Sequence, residues 1–301
     1  MIYDSAMYKK NLRSDLVLLL AAIIWGFAFV AQRIGMDFVG PFTYNGVRFT
    51  LGTLVLLPFL FFGASGKEPL VKVSHPSDRR KIIIGSLMTG LFLFGGVALQ
   101  QLGLQQTTAG KAGFITGLYV VFVPIAGLLF GQRSHISMWI GALLSVSGLY
   151  LLSMTNGFNF APGDKLVLYC AIVFTFHVLF IAWLSPLMNS FLLAIIQFSI
   201  CALLNLLIAF TIEPVNLESV LQAWAPIAYG GILSVGVAYT LQVVAQKTAH
   251  PAHASIILSL EAVFAVIGGW LILHEGFTAR MLAGCILMLL GMIAVQVRIK
   301  C

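Results

Sequence analysis

Ten stretches of the chain are almost unbroken in apolar residues, at about 15–35, 42–63, 82–105, 110–131, 136–154, 164–184, 190–211, 222–246, 252–273 and 279–297. Each approaches the ~20 residues that carry a helix across the hydrocarbon core of a bilayer. The polar breaks between them are mostly short, so consecutive helices must lie antiparallel and side by side. One break is longer: Ala64 to Lys81 is polar, interrupted by Pro69 and Pro76, and carries Lys67, Lys72, Arg79, Arg80 and Lys81. The pattern predicts an all-α integral membrane protein with ten transmembrane helices.

A second pattern lies over the first. The segment from Ser255 to Gln296, SIILSLEAVFAVIGGWLILHEGFTARMLAGCILMLLGMIAVQ, echoes Gly113 to Ser153, GFITGLYVVFVPIAGLLFGQRSHISMWIGALLSVSGLYLLS. Val121 and Val263, Phe122 and Phe264, Ile125 and Ile267, and Gly127 and Gly269 are each 142 positions apart. After the turn the spacing becomes 143, pairing Gly141 with Gly284 and Gly148 with Gly291. An internal duplication follows, with a first five-helix repeat over residues 1–156 and a second over 157–301, joined near the linker Asn156 to Gly163. Five crossings is an odd number, so the second repeat enters the membrane from the opposite face and the two repeats are inverted. That architecture places a solute site near the bilayer midplane, between the halves.

Composition agrees with the membrane reading. The 301 residues are 60% hydrophobic and only 9% charged, against ~25% charged in an ordinary soluble domain. The net charge of +7 is spread over loop positions rather than gathered into a basic stripe with aromatics, which excludes nucleic acid as a partner. It orients the chain instead. With the N-terminus cytoplasmic, twelve Lys and Arg fall inside (Lys9, Lys10, Arg13, Lys67, Lys72, Arg79, Arg80, Lys81, Arg133, Lys247, Arg298, Lys300) and four outside (Arg33, Lys111, Lys165, Arg280). Both termini are then cytoplasmic, and Glu213, Glu218 and Glu275 face out. The basic start ahead of Leu16 to Val30 has the order of a signal peptide but no A-x-A cleavage site, so it reads as an uncleaved first helix. Cys170, Cys201 and Cys285 fall inside apolar runs without paired spacing, which predicts buried single thiols and no metal cluster.

Small residues let membrane helices approach closely, so Gly113-x-x-x-Gly117, Gly127-x-x-x-Gly131 and the glycines at 26, 95, 96, 268, 269, 284 and 291 read as packing positions. Pro124 should kink the fourth span. Ionisable groups at membrane depth are more telling, since a charge there costs ~3 kcal/mol even on the gentlest scale. Glu261 sits about nine residues into its span, as an ion or substrate group or as a hydrogen-bonded tie between helices. Its partner 142 positions earlier is Tyr119. His177, in the middle of span six, is a proton carrier, a substrate ligand, or a neutral ring satisfied by a neighbour. Gln100 and Gln242 form another pair at the same spacing, suited either to a polar solute or to interhelical hydrogen bonds. Trp25 and Tyr239 are candidate aromatic walls or ordinary packing. Arg48, near one end of span two, reads as a snorkelling structural residue, and Lys111 and His253 as anchors or mouth residues at the starts of spans four and nine.

The missing motifs narrow the function. Gln105 stands where a phosphate loop ahead of Gly110-Lys111 would need glycine, and Ala112 stands in place of Ser or Thr, so ATP-driven pumping has no support. H-E-x-x-H, G-x-S-x-G and a carbonyl ion filter are also absent. No catalytic residue, metal site or cofactor is expected.

Trp25-Gly26, PFTYNGVRFTLG around Arg48, VAYTLQVVAQKTAHPAHASIILSLEAVFAVIGGWLILHEGFT from Val237 to Thr278, and Gly284 with Gly291 together resemble the EamA-type branch of the drug/metabolite transporter superfamily. The match runs over nearly the whole chain. The resemblance implies a ten-helix inverted-repeat fold and the export or exchange of small metabolites, often amino acids, across a bacterial inner membrane. It also implies a central cavity lined by spans one, three, four, six, eight and nine, onto which Trp25, Gln100, Tyr119, His177, Tyr239 and Glu261 fall, joined by Gln242 through its repeat relation to Gln100. Many relatives carry Pro directly after the position of Glu261, where this chain has Ala262. The expected activity is alternating access of a small polar or amphipathic solute, with the bilayer, the solute and protons acting through Glu261 and His177 as partners. An intramembrane enzyme or a scaffold without flux is the competing class.

Overall fold

The structure, a computed structural model, describes residues 2–62, 70–72, 76–132, 134–153 and 161–296. The repeat boundary at 156/157 and the cations Lys67, Arg133, Arg298 and Lys300 lie outside these residues. Ten helical rods cross the bilayer. The first three are α1 (Ile2–Gly35), α2 (Pro41–Phe62) and α3 (Pro76–Leu104). A fourth, broken rod combines α4 (Ala109–Gly117) with α5 (Tyr119–Leu129), and α6 (Ile136–Ser153) completes the first half. The second half opens with α7 (Pro162–Leu184) and α8 (Ser190–Ile212), followed by the short α9 (Leu217–Gln222) at the surface. The eighth rod joins α10 (Trp224–Ala228), a π-helical segment (Tyr229–Tyr239) and α11 (Thr240–Gln246). The ninth joins α12 (Pro251–Leu258) to α13 (Glu261–Leu273), and α14 (Ala279–Gln296) is the last.

Apolar runs located these rods within a few residues, except where charged turns extend α1 and α3 beyond their runs. Asp78 in the first turn of α3 complements the positive end of the helix dipole. α8 and α4 start on ordinary caps: Asn189 accepts from the Phe191 and Leu192 amides on α8, and Thr108 accepts from Lys111 N on α4. Large apolar side chains such as Leu129, Leu143, Phe210 and Ile212 point outward, as they should where the solvent is hydrocarbon. The polar loop after α2 is pinned at residues 70–72, where Lys72 N donates to Leu187 O and Asn189 N to Leu70 O.

The packing is invariant when the halves are exchanged. α3 packs on α7 as the π segment and α11 pack on α1, and α3 on α8 as the π segment on α2. Likewise α1 packs on α13 as α7 packs on α5, and α4 on α13 as α12 on α5, while the pairs α2–α8 and α6–α14 map onto themselves. The last seam fixes the direction of the axis. A methyl group built on Gly148 would lie 2.5 Å from the Gly284 carbonyl oxygen, and one on Gly284 would lie 2.6 Å from that of Gly148. Gly141 and Gly291 meet in the same reciprocal way, at 2.9 and 2.8 Å. Rising numbers on α6 meet falling numbers on α14, so these equivalent helices run antiparallel and the pseudo-two-fold lies in the membrane plane. The repeats are inverted.

Both repeats break the fourth helix at the same place. Leu118 (φ −60°, ψ −15°) precedes Tyr119, and its counterpart Leu260 (φ −61°, ψ −12°) precedes Glu261. The interruption of span four therefore falls six positions before Pro124, which sits inside α5, and the interruption of span nine forms with Ala262 where many relatives have proline. A tight turn makes both breaks: Leu118 N donates to Ile115 O and Leu260 N to Ile257 O. Gly113 is a packing position as expected, its absent methyl lying 2.8 Å from Ala265 Cβ. Gly127 and Gly131 are not. Gly131 has φ +74° with nothing near its absent methyl, and Gln132 N donates to Gly127 O while Gly131 N donates to Leu128 O. This is a helix-ending motif that needs the left-handed conformation glycine tolerates. Cys170, Cys201 and Cys285 are buried free thiols.

Candidate functional site: a polar hollow between the repeats

Spans from both halves converge on a partly open hollow, about 460 Å³ when the open space at its mouth is included. Into it α1 sends Trp25, α3 sends Gln100, α5 begins with Tyr119, α7 sends His177, the π segment ends with Tyr239, α11 sends Gln242 and α13 begins with Glu261. The structure thus brings all seven candidate residues into one lining. Gln32, Phe174, Ser234 and Leu258 join them, and so does Arg48.

The helix breaks position the two central members. Tyr119 and Glu261 are the first residues of α5 and α13, immediately after the tight turns that break spans four and nine. Close packing brings α13 inward: a methyl on Gly26 would lie 2.8 Å from the Glu261 carbonyl oxygen. Glu261 is 4% exposed. The Tyr119 hydroxyl stands beside it, yet neither that hydroxyl nor Glu261 Oε1 has a hydrogen bond of ordinary geometry among the described residues.

Aromatic rings form one wall. The Trp25 and Tyr239 ring centres are 4.5 Å apart, and Trp25 Nε1 donates to Ser234 O at 3.3 Å. That acceptor belongs to the π segment, whose wider turn shifts carbonyls away from regular helical pairing. Tyr239 also meets the edge of His177, centre to centre 6.2 Å. His177 Nε2 lies 2.8 Å from Gln197 Oε1 on α8. With the amide oxygen facing the ring, the histidine donates. His177 thus has a partner at Nε2 while its ring lines the hollow.

The repeat-related glutamines differ. Gln100 Nε2 donates to Thr116 Oγ1 at 3.2 Å, whereas Gln242 Oε1 is buried without a partner among the described residues. The counterpart of Thr116 in the second repeat is Leu258, which offers no hydroxyl. With Gln32 Oε1, the lining holds four buried polar atoms that lack a hydrogen bond of ordinary geometry among the described residues: Gln32 Oε1, Gln242 Oε1, and the neighbouring Tyr119 Oη and Glu261 Oε1. Each such atom carries a penalty of ~1–3 kcal/mol that a polar solute can relieve.

Arg48 corrects the sequence reading. It does not snorkel: it is 2% exposed and turns into the hollow. Distance along a helix from its end does not report which face a side chain takes, and a charge inside an apolar span was the signal for a site residue. Lys111 and His253 do not line the hollow and are each held in an ion pair. Lys111 Nζ meets Asp164 Oδ2 at 2.6 Å, tying spans four and six at one rim. His253 Nε2 meets Asp15 Oδ1 at 2.7 Å, tying spans nine and one at the other. The in-plane axis exchanges the two pairs.

The comparisons with known proteins now decide the family. The profile of the EamA-like transporter family matches twice, over residues 12–154 and again over 161–296. The chain belongs to that family. It is similar to an uncharacterized transporter of Archaeoglobus fulgidus, 36% identical over 296 residues, covering 96% of this chain and 88% of the relative. It is also similar to the uncharacterized transporter YoaV of Bacillus subtilis, 24% identical over 275 residues, covering 89% and 91%. The uncharacterized inner membrane transporter YedA of Escherichia coli is 25% identical over 157 residues, 51% of this chain and 48% of YedA. A solved crystal structure matches the fold with a TM-score of 0.75 at 20% identity, covering 94% of this chain and 98% of that one. The protein is therefore a multi-pass membrane transporter of the EamA-like family. Family membership sets the enzyme reading aside.

Proposed function

We propose that this EamA-like transporter is an alternating-access secondary carrier that exports or exchanges small metabolites such as amino acids. The hollow between the inverted halves is its solute site, with Trp25, Gln100, Tyr119, His177, Tyr239, Gln242 and Glu261 as the contact residues. One observation carries the reading: unpaired polar atoms from both repeats face a common space beside an aromatic wall, the combination that recognises a small amphipathic solute. Glu261 is the candidate proton-linked group, since His177 already has Gln197 as a partner. Its membrane is the inner, or plasma, membrane of a bacterium, with both termini cytoplasmic. The excess of Lys and Arg on the side of Arg13, Lys72, Arg79 and Lys247 supports that orientation, and the inner-membrane name of YedA is consistent with it.

Purified protein in liposomes tests the proposal. Labelled amino acids and other small metabolites should show counterflow against an internal pool of the same compound. Glu261→Gln should lower that exchange by at least ~10-fold or remove its pH dependence, the size expected when a charged hydrogen-bonding group is lost. Absence of exchange across the panel would reject the carrier. Normal exchange with normal pH dependence in Glu261→Gln would remove Glu261 from the mechanism.

A further inference from the structure

Arg48 is held so that half of its guanidinium is used by the protein and half is not. Nε donates to Asn45 Oδ1 at 3.0 Å, and Asn45 is itself fixed because its Nδ2 donates to Val97 O at 3.1 Å. The planar face rests near two rings, 5.4 Å from the Tyr44 centre and 5.1 Å from that of Phe49. Room for the stem comes from Gly230 in the π segment, whose added methyl would lie 3.2 Å from Arg48 Cδ. The terminal nitrogens Nη1 and Nη2 have no hydrogen-bond or ion-pair partner among the described residues, although the side chain is 2% exposed and borders the hollow. A buried cation with its terminal fork open is costly unless something anionic completes it, and a fork of two parallel N–H donors matches the two oxygens of a carboxylate.

Resting on the carrier reading above, we propose that Arg48 is a specificity-determining residue that binds the carboxylate of the transported solute, and that the substrate class is a small monocarboxylate with an apolar or aromatic body. The carboxylate accepts from Nη1 and Nη2, and the body lies toward Trp25 and Tyr239. A phosphate is disfavoured because Arg48 is the one Lys or Arg among the lining residues and Glu261 shares the space. A second negative charge would go unneutralised. Asn45 is a positioning residue: it aims the fork and does not itself border the hollow.

Matched probes test this. Indole-3-acetate against indole-3-acetamide, and tryptophan against tryptophanamide, change the carboxylate to a neutral amide with little change of shape, with and without an ammonium group. Binding of each is measured on the purified full chain and on Arg48→Gln, Arg48→Lys and Asn45→Ala. Wild-type protein should prefer at least one acid over its amide by ~10-fold or more, as a charge-assisted pair requires. Arg48→Gln should abolish the preference without weakening amide binding, Arg48→Lys should keep part of it, and Asn45→Ala should reduce it several-fold. If Arg48→Gln does not fold, the Lys and Ala variants carry the test. Equal binding of acid and amide, no binding of either acid, or a preference unchanged in Arg48→Gln or, failing that, in Arg48→Lys and Asn45→Ala would overturn the proposal. Carboxylate preference without counterflow of any solute would reject the carrier and leave the role of Arg48. Counterflow of neutral or cationic solutes alone would do the reverse.

Discussion

A single leucine separates the two glutamines that duplication placed in the hollow. Gln100 has Thr116 as a partner and Gln242 has Leu258 in the equivalent place, so their replacements should behave oppositely. Gln100→Met should destabilise the protein by about 1–2 kcal/mol, because Thr116 loses its bonded amide. Gln242→Met should be neutral or stabilising by about 1 kcal/mol, because it removes a polar atom that has no partner among the described residues. Thermal denaturation in detergent reads both, and in counterflow Gln242→Met should still lower exchange. Much at this scale was legible in the sequence, since Glu261, His177 and the glutamines stand out against apolar neighbours. Arg48 did too, yet its role was misjudged from its nearness to a helix end. Gly127 and Gly131 were misjudged from spacing alone, which does not distinguish a packed helix face from the turn that ends a helix.

Helix ends and helix breaks govern behaviour at the next scale. His250 caps α12 by accepting from Ala252 N through Nδ1, which requires a neutral ring. Burial, together with His253 and His135, pushes its pKa below the ordinary histidine value of 6.5. The folded state thus binds this proton less readily than the unfolded chain. The contribution is fully present above about pH 6.5 and is lost as pH falls below it. His250→Asn retains an acceptor at the cap and cannot titrate, so melting temperature followed from pH 8 to pH 5 should fall less in this variant than in wild type. An identical decline in both would show that other groups set the acid limit. The rods themselves followed from runs of apolar residues, but the twin breaks before Tyr119 and Glu261 did not. Proline was the cue sought, whereas a three-residue turn made the break in each repeat. The π segment was hidden for a similar reason, because a wider turn leaves hydropathy unchanged and only Gly230, Gly231 and Gly236 mark it.

Across the whole molecule, an odd number of crossings per repeat and an offset of 142 sufficed to anticipate inversion, and the reciprocal glycine seam of α6 and α14 shows it directly. The sequence could not reveal how the halves enclose the hollow, since that depends on which faces of the ten rods meet. The proposed alternating access requires Lys111–Asp164 and Asp15–His253 to part in alternate states. Access to the midplane from each side measures this most directly. Ser234, buried in the lining, is replaced by Cys in a chain whose four native cysteines are changed to Ala, and an impermeant maleimide is applied to either face of sealed vesicles. Labelling from each face, slowed from both by a transported solute, is the predicted result. Labelling from one face alone under every condition, or from neither, would contradict alternating access.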